Sequence, residues 1–274
     1  MTEQWTLGLI GCGNMGSALI RGAVKSGLLD GRRVVPHDVE NEKARHLAAE
    51  IGARHADTIG DLMDRADTIV LATKPQGMEA VLGEIAPRAT AGHLFISIAA
   101  GIPLSMMEKR LGDGARVIRV MPNTPALLGC GAAGLARGNH ARNADMDRAM
   151  DIFQSVGVAV EVPESRMDAV TGLSGSGPAY VFRLAEALAR AGEKAGLPAE
   201  AALLLTKQTI LGAARMMMET SDPPAELRRK VTSPGGTTEA GLRVMEDSGF
   251  EEIMERVVLR ATERGAELGR AQKK

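Results

Sequence analysis

The sequence predicts an α/β protein in two parts: a doubly wound, mostly parallel sheet followed by an all-helical segment. Three observations carry that expectation. Apolar strand-like runs alternate with helix-like segments through the first half. Two of the runs, 66–72 and 94–99, are continuously apolar, as parallel strands covered on both faces require. After about Pro163 the strand pattern stops and helical periodicity remains.

Taken in order, residues 6–10 are a short apolar strand that runs into glycines. Residues 15–27 follow as a helix with Ala18, Leu19, Ala23 and Val24 on its inner face. Residues 34–37 are a second strand and 40–51 a second helix. The runs 66–72, 94–99 and 116–121 supply further strands, and 158–162 a late one. Residues 167–192, 198–219 and 250–273 carry helical periodicity. The boundary is set at 164/165, giving a sheet domain over 1–164 and a helical domain over 165–274. Alanine fills much of 184–195 and 211–214, so helices there can approach closely, in a core or at a subunit interface. Met216, Met217 and Met218 suit the same role, since methionine fills irregular apolar gaps.

Composition narrows the function. Of the 274 residues, 45% are apolar, which is enough for a substantial core. Net charge is -1 and aromatic content 2%, so neither a basic footprint nor stacking platforms for nucleic acid are expected. Cys12 and Cys130 form neither a metal-ligand spacing nor a disulfide framework; both read as buried small hydrophobes, and no metal is expected. Met1-Thr2-Glu3-Gln4 lacks the basic start and apolar run of a secretory signal. No apolar run approaches the roughly 20 residues a membrane helix needs. A cytoplasmic protein without membrane contact is expected.

The segment Leu9-Ile10-Gly11-Cys12-Gly13-Asn14-Met15-Gly16 has the spacing of a dinucleotide phosphate loop. Gly11 permits the tight turn, Gly13 lets a pyrophosphate approach the backbone, and Gly16 lets helix pack on strand. The helix start adds N–H groups and a favourable dipole. The motif follows a strand and opens a helix, so the first domain reads as Rossmann-like. The alternative is a glycine turn without a ligand. Asp38 stands about 20 residues on, after the second strand, where an acidic residue accepts from the adenosine ribose. A carboxylate there repels a 2′-phosphate, so NADH is expected ahead of NADPH. The alternative is a solvated turn residue. Lys43 and Arg45 follow soon after.

Three loops end predicted strands: Ala72-Thr73-Lys74-Pro75, Ser97-Ile98-Ala99-Ala100-Gly101-Ile102, and Met121-Pro122-Asn123-Thr124-Pro125. Ligands bind at that edge of open α/β sheets. A fourth glycine-rich segment runs from Thr171 through Gly172, Gly175, Gly177 and Pro178 to Tyr180. The fifth, Ser233-Pro234-Gly235-Gly236-Thr237-Thr238, precedes an apolar helix over 240–245. Successive N–H groups beside a helix start form an anion-binding concavity that suits a substrate carboxylate. An N-cap at Thr237 after a Pro-Gly turn is compatible with that role.

In order and spacing these segments resemble pyrroline-5-carboxylate reductase over essentially the full length. The resemblance implies a Rossmann-like domain followed by a helical dimerisation domain that interleaves with a second subunit. Homodimers, and commonly decamers, are implied. So is reduction of a small-molecule imine, pyrroline-5-carboxylate, to proline by NADPH or NADH, the last step of proline biosynthesis. Ile10, Gly11, Cys12, Gly13, Asn14, Met15 and Gly16 would line the cofactor, with Ala72, Thr73, Lys74, Pro75, Ala99 and Ala100. Asn123 would sit near the nicotinamide. Ser233, Gly235, Gly236, Thr237 and Thr238 would hold the substrate, with Thr238 at its ring nitrogen. The family often has Val where Thr73 stands, and its NADPH-using members a small polar or basic residue where Asp38 stands.

A protonated imine nitrogen makes the ring a good hydride acceptor. The last of five histidines is His140, so the helical half has no imidazole acid. Either the imine binds already protonated, or Thr238 and a water manage the proton; in both cases catalysis is expected to rest on orientation, with Lys74 contributing charge. The alternative for Lys74 is a solvated strand end. Two other functions fit parts of the sequence. A reductase of another cyclic imine or of a β-hydroxyacid would, in the latter case, need a catalytic lysine in the helical half, where Lys194 and Lys207 stand in other surroundings. A non-catalytic dinucleotide sensor need not retain the Ser233 to Thr238 loop.

Overall fold

The computed structural model describes residues 5–271. The segment read for a targeting signal, Met1 to Gln4, lies outside the described residues, as does the end of the helix expected over 250–273. Seven strands form one sheet: β1 (Leu7–Ile10), β2 (Val34–His37), β3 (Thr68–Leu71), β4 (Leu94–Ser97), β5 (Arg116–Met121), β6 (Gly131–Arg137) and β7 (Gly157–Glu161). Their order is β2-β1-β3-β4-β5-β6-β7. The first five strands of that order are parallel, β6 runs antiparallel to β5, and β7 parallel to β6.

Strands β1 to β4 are buried along their whole length. That explains their continuous apolar character, since helices cover both faces. On one face lie α1 (Asn14–Lys25), α2 (Asn41–Ile51) and, later in the chain, a helix over Asn143–Gln154. They bring Leu19, Ile20, Leu47 and Phe153 onto Leu7, Leu9 and Val34. On the other lie α3 (Ile59–Arg65), α4 (Met78–Ile85) and α5 (Leu104–Leu111). Their Leu62, Met78, Leu82 and Met107 pack with Ile69, Leu71 and Phe95. The Asn143–Gln154 helix is α6.

Strand β6 was not expected. Its Gly131-Ala132-Ala133-Gly134 start has no β-branched residue. The small residues are there because neighbours come close: a Cβ on Gly131 would lie 2.8 Å from that of Ala126, and one on Gly134 2.8 Å from Val170 Cγ1. The helix expected over 167–192 is also not continuous. It divides into α7 (Met167–Val170), a π-helical turn at Thr171–Gly175, and α8 (Gly177–Lys194). A Cβ on Gly175 would lie 2.7 Å from Met121 Cε, so the π turn is where the chain presses against the end of β5.

The helices α9 (Ala199–Glu219), α10 (Pro224–Lys230), α11 (Thr237–Asp247) and α12 (Phe250–Ala271) follow, with no strand after β7 among the described residues. Two compact units result. One holds the described residues up to Ser176 and those from Arg260 on; the other is Gly177–Leu259.

Phe153 is 1% exposed in the first unit's core. Phe153→Ala is expected to destabilise that unit by about 3–5 kcal/mol, seen as an earlier urea transition of its signal.

Candidate active site

The strand ends set the geometry. In register, Ile10 pairs with Leu71, Leu71 with Ser97, and Ser97 with Arg119. The loops after β1, β3, β4 and β5 therefore open on one edge. The order reverses between β1 and β3, and at such a switch point a crevice forms.

The glycines of the first loop divide by what surrounds them. Gly11 has φ 103°, and a Cβ there would stand 2.7 Å from the Ala72 carbonyl oxygen. A Cβ on Gly16 would overlap the Gly11 carbonyl oxygen and come 3.0 Å from the Ala72 Cβ. Both are demanded by the chain's own packing. Gly13 differs. Its φ of -71° and ψ of -176° suit any residue, and a Cβ there meets no atom within 4 Å. Glycine here caps α1 and leaves open space in which a ligand can approach the backbone. Helix α1 starts at the next residue, with no side chain capping it. Its first N–H groups are left to an anion.

Asp38 is 9% exposed. Its Oδ2 accepts the Cys12 N–H at 2.7 Å and its Oδ1 the Glu40 N–H at 2.9 Å. It therefore holds the phosphate loop against the end of β2. A cleft of about 420 Å³ opens beside Cys12, Gly13 and Asn14, reaching Lys43 and His46 of α2. Lys43 is paired with Glu40 at 2.5 Å and Arg21 with Glu50 at 2.7 Å. Burial pushes the Cys12 thiol up to about 12, and the Asp38 charge adds to it. Cys12 is therefore a buried thiol, as expected. Cys130 is not: it is exposed, just past the turn at Thr124–Leu128.

In the second loop the Thr73 hydroxyl is buried with no hydrogen-bond partner. Buried hydroxyls are ordinarily satisfied, so a partner from outside the chain fits here. Lys74 is exposed and begins the turn at Pro75–Gly77. In the third, Ala99 is buried and Ala100 exposed. Asn123 is 9% exposed; its amide donates to the Ser174 carbonyl at 3.1 Å and accepts the Ala132 N–H at 2.8 Å. It clamps the β5 loop to the π turn. These features, a reserved space at Gly13, open N–H groups and an orphan hydroxyl, suit a dinucleotide.

In the second unit, α11 begins at Thr237 rather than near Ala240, and its cap is Gly236, not Thr237. No side chain caps it. Among the described residues the N–H groups of Thr237, Thr238 and Glu239 meet no acceptor. Gly235 has φ 71°, and its N–H is taken by Glu239 at 2.6 Å. A Cβ on Gly236 would overlap Ser233 Oγ. Thr238 is exposed. Sequence reasoning also missed the pairing of buried Arg119 with Glu164, because residues 45 apart leave no local pattern. No group of three His, Cys, Asp or Glu able to hold a metal occurs among the described residues, and no helix is long and apolar enough to cross a membrane.

Fold and edge together define a dinucleotide-binding oxidoreductase of the Rossmann-like class. A family model for NADP oxidoreductases, coenzyme F420-dependent, matches residues 6–101, and one for pyrroline-5-carboxylate reductase dimerisation matches 164–268. The pyrroline-5-carboxylate reductase of Methanosarcina acetivorans is 44% identical over 268 residues, covering 98% of this chain and 99% of that protein. That of Pseudomonas aeruginosa is 42% identical over 263 residues, 96% of each. Among solved structures, the enzyme of Coxiella burnetii superposes with a TM-score of 0.92 at 36% identity, covering 96% of this chain and 98% of that one. Plasmodium falciparum pyrroline carboxylate reductase with NADP bound gives 0.83 at 32%, covering 98% and 100%. The chain belongs to the pyrroline-5-carboxylate reductase family.

Gly13→Ala is expected to leave stability within about 0.5 kcal/mol yet weaken dinucleotide binding about tenfold or more, measured by fluorescence titration. Gly16→Ala instead costs about 1–3 kcal/mol of stability by overpacking, measured by thermal melting. Titration of the native protein with a thiol reagent at pH 8 is expected to find Cys130 fast and Cys12 unreactive until unfolding.

Proposed function

We propose that the protein reduces L-1-pyrroline-5-carboxylate to L-proline with a nicotinamide dinucleotide. The observation that carries this reading is the pairing of two features in one chain of this family. One is the space reserved at Gly13; the other is the uncapped turn at Thr237, Thr238 and Glu239. A reduced nicotinamide, when bound, would supply hydride to the C=N carbon of a protonated imine. The chain does the rest by orientation.

In this reading Ile10 to Gly16 hold the pyrophosphate. Ala72, Thr73, Lys74, Pro75, Ala99 and Ala100 line the cofactor, with the Thr73 hydroxyl donating to it. Lys74 adds positive charge at that edge. Asn123 acts by fixing the β5 loop beside the nicotinamide. Ser233, Gly235, Gly236 and Thr237 receive the substrate carboxylate, and the Thr238 hydroxyl meets the ring nitrogen. We assign 1–164 to cofactor binding and 165–274 to dimerisation and substrate, a division supported by the start of the dimerisation match at residue 164. Homodimers through the helical half, assembly onward to decamers, residence in the cytoplasm, and no nucleic-acid or membrane partner complete the proposal.

NADH is the proposed preference. The Asp38 carboxylate at the end of β2 disfavours a 2′-phosphate, and two cations of the adjoining cleft, Lys43 and Arg21, already have acidic partners.

An absorbance assay with NADH or NADPH and a panel of cyclic imines tests the function. Fastest turnover with pyrroline-5-carboxylate is expected; no oxidation of either cofactor would sink the proposal. Thr238→Ala is expected to lower kcat on the order of tenfold or more while cofactor affinity holds. Asp38→Ser is expected to raise the NADPH-to-NADH ratio of kcat/KM on the order of tenfold.

A further inference from the structure

Arg119 lies on β5 in register with Ser97 and is 9% exposed. A buried guanidinium must be paired. Its Nη1 stands 3.2 Å from Glu164 Oε1 and its Nη2 4.0 Å from Asp168 Oδ1. The same Glu164 oxygen accepts the N–H of Leu104 at 2.7 Å. Leu104 is the first residue of α5, and its cap, Pro103, has no side-chain acceptor. The helix start is therefore satisfied from 60 residues away.

The segment this secures is the loop after β4. Its near end is held by the Ile98 N–H on the Leu71 carbonyl at 3.0 Å and by the Ala99 N–H on Ser97 Oγ at 3.3 Å. It then reverses through Gly101 at φ 75°. Between Ala99 and Leu104 the loop has no polar side chain of its own to fix it. Glu164 is the far anchor, and Arg119 fixes Glu164 to the sheet.

We propose that Arg119 and Glu164 are positioning residues that set the Ala99-Ala100 backbone against the nicotinamide half of the cofactor. This rests on the reading that those two alanines line the cofactor. A loop displaced by as little as 1 Å costs hydride transfer up to about 10²-fold, because donor and acceptor must sit at near-attack distance. Lysine at 119 keeps the charge but loses the planar fork.

The test uses the full-length protein with Glu164→Gln, Arg119→Met, Arg119→Lys and Ala100→Leu. Three quantities are read: kcat at saturating cofactor, the isotope effect with cofactor deuterated at the transferred position, and ADP affinity. For Glu164→Gln and Arg119→Met, kcat is expected to fall about tenfold or more, the isotope effect to rise, and ADP affinity to hold. Arg119→Lys is expected to recover part of kcat. A lowered melting temperature with kcat and isotope effect unchanged would overturn the proposal, leaving a structural ion pair. Should Arg119→Met not fold, Glu164→Gln decides, since the neutral amide keeps the shape of the glutamate but loses the ion pair through which Arg119 fixes it. Ala100→Leu is expected to weaken cofactor affinity. If it does not, the reading of the loop fails and the proposal with it. If it does while Glu164→Gln keeps full kcat, the proposal alone fails.

Discussion

At the end of β1 the backbone lies so near the Ala72 carbonyl that no side chain fits, and much of the cofactor edge follows from that contact. The chain must turn with positive φ at Gly11, which starts α1 three residues on and aims its N–H groups over the sheet edge. Strands β1 and β3 leave this contact toward helices on opposite faces, so a crevice opens between them. Because β1, β3, β4 and β5 are parallel and end near one register row, each hands its loop to the same edge. Topology thus assembles the binding edge before any loop side chain is considered. Loop residues adjust it.

Those loops are rich in glycine, alanine and proline, which leave the backbone accessible to a ligand but hold it only weakly. Carboxylates from neighbouring elements supply the rigidity. Asp38 fixes the phosphate loop through the Cys12 N–H, and Glu164 fixes the β4 loop through Leu104. Asn123 does the same with a neutral amide between β5, β6 and the π turn. Each arrangement has a side effect. The Asp38 charge, with burial, keeps Cys12 a thiol and removes it from chemistry. Arg119, buried on β5, needs a carboxylate within the fold, and Glu164 is its nearer partner.

Much of the first half was legible because its signals are local. Strands β2 and β5 fall where apolar runs placed them, and the glycine spacing announced the turn and helix after β1. What escaped depends on distant neighbours. Strand β6 looks like a glycine-alanine linker until Ala126 and Val170 are seen crowding it. The break in the helix at Thr171–Gly175 falls where Gly175 packs closely on Met121, a neighbour that sequence periodicity does not register. Cys130 was read as buried by residue type alone, yet it follows a surface turn. At the Ser233 to Thr238 loop the motif was visible, but the cap was misplaced: Gly236 leaves the helix start open where a threonine side chain would have closed it. That difference strengthens the anion-binding reading.

The helical unit carries a problem of its own. In α8 only Ala189 is buried, in α9 only Ala202 and Thr206, and in α10 and α11 nothing. Meanwhile Leu204, Leu205, Met218 and Val244 are more than half exposed. Apolar surface of that density is a contact waiting for a partner, and the match to a dimerisation family supplies its kind. The exposed Thr237 and Thr238 N–H groups face a related difficulty. In bulk water they would hold a carboxylate weakly, since dielectric screening weakens the attraction and water competes for the hydrogen bonds. Excluding water strengthens the same groups several-fold. Covering the leucines and drying the turn at Thr237 and Thr238 are separate physical demands on one small helical unit, and association with a second copy is a single event able to answer both.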